Sequence, residues 1–254
     1  MVQLKPIKAK DLLELDTNLK CEVLDCYKIP EKVIWQAGKN DYSEEPIHDL
    51  TNMPSQEEMG KWIVDRLLSN DKGHWGPLEH PHITFSVSGF VHNVAMQART
   101  HRIGVSFDIQ SQRYTGKRVI KSILGEKSLE EVFYVRPPGF YTDRKGLKYE
   151  WTKDDYDKAY HIIYITGRYY NDLYQRGVCE EQARDYLAQA IRQNFVVTFN
   201  LRSVLHFMDL RSKMDAQLEI QALCELLWTK IYEWCPSVCD YYKVKRLYKA
   251  RLSP

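Results

Sequence analysis

Between Ile83 and Gly104 the chain changes its hydrophobic period, and that change constrains the fold more than any other stretch. Ile83, Phe85 and Val87 alternate with Thr84, Ser86 and Ser88, the two-residue period of a strand, which is expected to end near Gly89. From Val91 to Arg102 there is neither proline nor glycine. Gln97 with His101, and Arg99 with Arg102, fall at four- and three-residue spacing, which predicts a helix stopped by Gly104. Such a helix delivers its polar groups to one end. The residues that follow, Ser106-Phe-Asp-Ile-Gln-Ser-Gln-Arg-Tyr114, suit an extended or looped segment that exposes backbone amides.

Other stretches fill in the frame. Ser55-Gln-Glu-Glu58 reads as a capping box, and Met59, Trp62, Ile63 and Leu67 recur at helical spacing, predicting a helix over 56–69. Gly73-His-Trp-Gly-Pro77 is turn chemistry. Phe195-Val-Val-Thr-Phe199 is β-branched and aromatic, hence a short strand, and Asn200 caps a helix from Leu201 to about Leu210. Long helices are expected at 153–176, stopped by Gly177, at 179–192, and at 214–234, stopped by Pro236. Residues 1–50 read as short strands or turns, and 117–150 as a strand or loop excursion. No repeat or linker divides the 254 residues, and 44% apolar content supplies one core. The expectation is one α+β domain over 1–254, a mixed sheet flanked by long helices.

Acids and bases nearly balance at a net charge of +2, which argues against a general nucleic-acid coat, so any anion site is local. Six cysteines are too irregularly spaced for a disulfide framework, and no CxxC pair suggests zinc. The N-terminus lacks a signal-peptide apolar core, and no stretch approaches the roughly 18 apolar residues of a membrane span. A cytoplasmic protein without membrane or nucleic-acid partners is expected.

The local anion site has a clear candidate. Gln97 to Tyr114 holds three arginines and a histidine among small hydrogen-bonding side chains, and the guanidinium fork matches phosphate or carboxylate oxygens two at a time. The ligand implied is small and phosphorylated. Arg168 and Arg192 stand outside this pattern and are assigned to the surface, where isolated arginines usually form solvated pairs.

This segment resembles the signature of the flavin-dependent thymidylate synthases: Arg-His-Arg, seven residues, Ser, then Arg and Tyr. Thr100-His101-Arg102 stands in that place, followed by Ser111, Arg113 and Tyr114, with Thr100 replacing the first arginine and eight residues before Ser111. Upstream, His74-Trp-Gly-Pro-Leu-Glu-His80 is similar to the family's His-x-x-Pro-x-Glu-His element. Downstream, Asn200-Leu-Arg202, Leu210-Arg211 and Ala216-Gln-Leu-Glu-Ile220 resemble its helix pair, and Arg184 stands where the family has another nucleotide-binding arginine. The similarity spans about 74–220 in family order.

The resemblance implies an α+β homotetramer whose active sites draw on more than one subunit. It implies FAD beside dUMP, NADPH as reductant, and 5,10-methylenetetrahydrofolate as donor of the carbon that converts dUMP to dTMP. By the same resemblance dUMP would meet Gln97, Arg99, Thr100, Ile109, Gln110, Ser111, Gln112, Arg113, Arg184 and Arg211. FAD would meet Gly76, Glu79, Thr100, His101, Arg102 and Ile109, together with Asn200, Leu201, Arg202, His206 and Leu210. Arg211 and His74 would be catalytic, and no metal is implied. Physically, Arg211 suits the stabilisation of a uracil anion at its N3 and O4 edge but is too weak an acid to serve as an ordinary base.

Two other classes compete. His74, His80, His82 and His101 with Asp108 offer imidazole and carboxylate ligands for a metal-dependent phosphohydrolase, although the spacing matches no metal motif. An RNA-binding module would use Arg and Tyr faces, against which the near-neutral charge argues. Cysteine-nucleophile thymidylate synthesis is disfavoured, because none of the six thiols falls in the arginine or histidine blocks.

Overall fold

The computed structural model describes residues 5–249. Four strands pair in the order β1-β2-β6-β3, where β1 is Lys20–Cys26, β2 His82–Val91, β3 Val105–Ile109 and β6 Arg192–Asn200. The fold is α+β as expected, but every ladder is antiparallel, which corrects the expectation of a mixed sheet. β2 and β3 do run in the same direction, joined through α4 (His92–Ala98), yet β6 lies between them and opposes both. The helix-spaced residues after β2 therefore describe a return past a neighbour, not a parallel pair.

One face of the sheet builds the core. Ile83, Phe85 and Val87 of β2 and Phe195, Val197 and Phe199 of β6 are buried. They pack with α10 (Leu201–Arg211) and α11 (Leu218–Trp234) in one continuous apolar cluster. Full burial of each such side chain contributes about 1.5–3 kcal/mol. The opposite face is polar and half-exposed; there Thr84 and Thr198 share a hydroxyl hydrogen bond of 2.9 Å. Gly89 does not end β2. It sits at φ +80° where the pairing slips between Val87 and Phe90, a bulge that lets the strand continue to Val91.

Residues 5–50 hold more structure than their sequence advertises: α1 (Ala9–Leu15), the edge strand β1, and α2 (Pro30–Asn40). β1 buries only Cys21 fully, so no alternation marks it, and Pro30 starts a helix at its first turn instead of marking a turn. The predicted 56–69 helix is present as α3 (Gln56–Ile63), extended by a π turn over 64–68, and its Ser55–Glu58 capping box is formed. The 117–150 excursion contains α6 (Lys117–Ile123), α7 (Leu129–Val132) and the hairpin β4 (Gly139–Thr142) and β5 (Lys148–Trp151), preceded by the single turn α5 (Gln112–Thr115).

α8 (Lys153–Gln175) matches its prediction and covers a second, smaller core with Val119, Val132, Phe133 and Leu173. The helix expected over 179–192 is corrected: only α9 (Glu180–Ala183) and a 3-10 turn at 184–186 form. The backbone beyond them is claimed elsewhere, since Ala190 O accepts from Tyr134 and Ile191 O from His92, at 2.8 and 2.9 Å. Arg192 then opens β6. It is not a surface arginine; its buried guanidinium donates to the carbonyls of Glu130, Phe133 and Gly89 and pairs with Asp16 at 2.8 Å. Pro236, expected as a stop, is also the first residue of α12 (Pro236–Lys245). No helix among the described residues is long and apolar enough to cross a membrane.

Candidate active site

The turn from Arg99 to Gly104, between the end of α4 and the start of β3, is the pivot of the site. α4 stops at Ala98, four residues before the predicted end, so Arg99, His101 and Arg102 project from a turn. Gly104 is required there: at φ +65° a β-carbon would lie 2.2 Å from Asn200 Nδ2 and 2.3 Å from Ser203 Oγ. Those two atoms belong to the first turn of α10. Asn200 Oδ1 accepts from the Ser203 amide at 2.8 Å, the cap predicted from sequence, while Ser203 Oγ donates to the Ile103 carbonyl at 2.7 Å.

This junction opens a cleft of about 600 Å³ lined by Glu79, Thr100, His101, Arg102, Arg202, His206, Leu210 and Arg211, with Ile103, Val105 and Ser203. Eight residues singled out from sequence thus meet in one place. A second cleft, of about 560 Å³, gathers Arg99, Ile109, Gln110, Ser111, Gln112 and Arg184 with His92, Gln189 and Gln193. A trough of about 400 Å³ touches both sets, lined by Arg99, His101, Arg102, Val105, Phe107 and Ile109 along the edge strand β3.

Arg211 is tightly held. Its Nε donates to His101 Nε2 at 3.1 Å, and its Nη2 donates to Thr100 Oγ1 at 3.0 Å and to the Gln97 carbonyl at 3.2 Å. Thr100, where the family motif has arginine, therefore acts as an acceptor that fixes Arg211. Because a guanidinium only donates, His101 must accept at Nε2 and carry any single proton on Nδ1. Burial, then the charges of Arg211 and His206, push its pKa down to about 4, so the ring is neutral at pH 7.

Gln97 belongs to a deeper network. Its side-chain amide donates to Gln217 Oε1, and Gln217 Nε2 donates to Glu219 at 2.8 Å. Glu219, 1% exposed, also accepts from Tyr134 Oη at 2.8 Å and from Arg136 Nε at 2.9 Å. Burial pushes this carboxyl up, but the Arg136 charge and the hydrogen bonds outweigh it and hold it below the ordinary glutamate value.

The remaining expected residues lie apart from the two clefts. Leu201 is fully buried and its amide donates to the Pro81 carbonyl at 3.1 Å, which leaves it no free donor for a cofactor. Asn200 is 4% exposed and engaged in its cap. Arg113 points to Glu181 at 2.7 Å, both half-exposed. Around Gly76 a β-carbon would meet nothing within 4 Å. His74 lines a third cleft with Lys39, Tyr42, Trp62, Arg66 and Lys72. Among the described residues, no three His, Cys, Asp or Glu groups come together as a metal site, so the histidines named for a phosphohydrolase are not assembled into one. The thiols of Cys224, Cys235 and Cys239 are buried and raised in pKa chiefly by burial, and Cys21 is pushed up to about 12, so none of these four is a ready nucleophile.

Sequence inspection missed His92, Gln189 and Gln193 in the second cleft, and Tyr134 and Arg136 beneath Gln97. The signal available for His92 and Gln193 was their place at adjoining strand ends, since Val91 pairs with Arg192. Arg136 gave none, lying in an aperiodic proline-containing stretch.

Comparison with known proteins agrees with this geometry. The family described as "Thymidylate synthase complementing protein" matches residues 22–237. A flavin-dependent thymidylate synthase of Haloarcula marismortui is 30% identical over 250 residues, covering 92% of this chain and 99% of that protein. One of Pyrococcus abyssi is 36% identical, covering 80% and 73%. Among solved structures, the UMP/dUMP methylase PolB from Streptomyces cacaoi superposes with a TM-score of 0.71 at 21% identity, covering 93% and 97%. Thymidylate Synthase X from Helicobacter pylori, solved with FAD and dUMP, gives 0.65 at 17% identity, covering 87% and 98%. The chain belongs to the family of flavin-dependent thymidylate synthases.

Proposed function

We propose that this chain methylates dUMP to dTMP, with 5,10-methylenetetrahydrofolate as carbon donor and NADPH as reductant of bound FAD. The observation that carries the reading is the shared rim: Arg99, His101, Arg102 and Ile109 each border the trough that touches both clefts, so one turn serves two neighbouring ligands.

The first cleft fits a flavin nucleotide. Arg102, Arg202 and His206 offer donors for a pyrophosphate, while Ile103, Val105 and Leu210 offer apolar surface for a flat ring. FAD supplies hydride there once reduced. The second cleft fits a pyrimidine nucleotide: Arg99, Arg184 and Ser111 suit a monophosphate, and the buried Gln110 Oε1 and Gln193 Oε1 have no protein partner, so both are acceptors for a base N–H or a sugar hydroxyl.

Within one chain Arg211 lines the first cleft and Arg184 the second. A second copy that sets its Arg211 cleft against the Arg184 cleft would join them over one uracil, as in the homotetramer with shared active sites that the resemblance implies. Ile162, Ile165 and Tyr169, exposed along α8, and Val196 on the open sheet face offer apolar surface for such assembly. In the joint site Arg211, oriented by Thr100 and neutral His101, stabilises negative charge on the uracil N3 and O4 edge and so enriches C5 in electrons. His74 and Arg113, which line neither cleft of one chain, would reach the uracil only in such an assembly.

The test is tritium release from [5-³H]dUMP with NADPH, FAD and the folate supplied, each omitted in turn. Release requiring all of them is expected; no release from the complete mixture would overturn the reading.

A further inference from the structure

The cleft around His74 shares no lining residue with the two already described. It measures about 440 Å³ and is lined by Lys39, Tyr42, Trp62, Arg66, Lys72 and His74. Its floor is built. Trp62 is seated against Gly38, where a β-carbon would approach the indole to 3.0 Å, and it meets Trp35 and Tyr42 edge-on at 6.4 and 6.2 Å between ring centres. Its cations come from three segments: Lys39 from the last turn of α2, Arg66 from the π turn after α3, and Lys72 from the following loop. Lys72 is steadied by donating to the Asp65 carbonyl at 2.6 Å, and His74 by its backbone N–H, which donates to the Leu67 carbonyl at 3.1 Å.

Among the described side chains no carboxylate lines this cleft beside Lys39, Arg66 and Lys72. Three like charges facing one small space repel one another unless an anion joins them. Aromatic walls beside them present ring faces and edges. The combination selects a flat ring that carries negative charge at a distance.

We propose that this cleft binds the anionic, aromatic end of a co-substrate. The inference rests on the thymidylate-forming reading above and extends it to a site for the co-substrates. Two of them carry the required chemistry: the folate, with its aminobenzoyl ring and glutamyl carboxylates, and NADPH, with its adenine and 2′-phosphate.

The experiment uses the full chain with its flavin and compares it with the double variant Lys39→Gln/Arg66→Gln. Equilibrium dialysis measures tetrahydrofolate with one and with five glutamates, NADPH and NADH, and dUMP as control. Removing one half-buried and one exposed cation is expected to weaken one anion-rich probe by roughly tenfold. Loss confined to the pentaglutamate over the monoglutamate assigns the cleft to folate; loss confined to NADPH over NADH assigns it to the nicotinamide cofactor. Both ratios within twofold of the parent, with dUMP affinity intact, overturn the proposal. If the double variant loses dUMP binding, Arg66→Gln alone is judged by the same two ratios. A parent protein that binds neither flavin nor dUMP would instead defeat the functional reading beneath it.

Discussion

Arg211 and His101, 110 residues apart, are joined by a 3.1 Å hydrogen bond that runs from the guanidinium Nε to the imidazole Nε2. The bond exists only while His101 is unprotonated at Nε2, because a protonated ring would set donor against donor. Folding therefore keeps this histidine neutral, with its pKa down at about 4 against 6.5 for a free side chain.

That difference fixes the sign of a pH effect. Between pH 6.5 and 4 the unfolded chain binds a proton at His101 that the folded chain refuses, so this stability is fully present above 6.5 and lost as pH falls towards 4. At pH 5 the loss is about 1 to 2 kcal/mol. Urea unfolding of the parent and of His101→Gln at pH 7 and pH 5 checks it: the parent is expected to lose more over that interval. Equal losses would show that His101 does not titrate as described.

Arg211→Ala removes the charge proposed to face the uracil anion but leaves Arg102, Arg202 and His206 around the first cleft. Loss of one preorganised electrostatic contact of this kind costs about 10²- to 10³-fold in turnover. Tritium release should fall by at least that factor while the flavin absorbance of the purified variant is largely retained. Near-normal turnover would remove Arg211 from its role.

Arg184→Ala takes a cation from the second cleft, where Ser111 and Arg99 remain. A lost bidentate phosphate contact corresponds to about 2 to 3 kcal/mol, or roughly 30- to 150-fold in affinity. Calorimetry with dUMP should show that weakening, and an unchanged Kd would contradict the assignment.

The sequence carried the site more fully than it carried the elements between. His101, Arg102, Arg202 and Arg211 could be grouped because strong local patterns on β2, β6 and α10 place them, and motif order links them across long separations. Arg192 was misread as superficial because burial of a guanidinium depends on four acceptors scattered from Asp16 to Phe133, none near it in sequence. The 179–192 helix failed for a related reason: its local propensity lost to backbone partners at His92 and Tyr134. β1 stayed hidden because an edge strand exposed at five of its seven residues has no period to display.

Gly104→Ala tests the junction that holds both clefts. The added methyl would sit 2.2 Å from Asn200 Nδ2 on a backbone at φ +65°, so both the α10 cap and the turn must shift. A control separates the two causes, because Gly146 also has positive φ, at +85°, but nothing lies within 4 Å of its β-carbon. Gly146→Ala should cost about 1 kcal/mol for the backbone alone, and Gly104→Ala at least about 2 kcal/mol, with reduced flavin retention. Equal unfolding free energies for the two variants would mean that the turn yields without disturbing α10.

Glu219 lies beneath the Arg99–Gly104 turn and still reaches Arg211, through Gln217 to Gln97, whose backbone carbonyl holds the guanidinium. Glu219→Ala leaves the Arg136 guanidinium and the Tyr134 hydroxyl without their buried acceptor, a loss of the kind that costs about 3 to 5 kcal/mol. Glu219→Gln keeps one acceptor oxygen and removes the charge, so it should cost less in urea unfolding. Arg136 and Tyr134 donate to one carboxylate oxygen and Gln217 Nε2 to the other, so an amide that keeps its oxygen on Arg136 sets its nitrogen against Gln217 Nε2, donor against donor. Gln97 is then held less firmly, and Arg211 with it. The expected result is a Glu219→Gln protein that is folded and yellow yet slower in tritium release by roughly tenfold, about 1.4 kcal/mol of misplaced orientation. A variant that is destabilised but turns over at the parent's rate would confine Glu219 to the core.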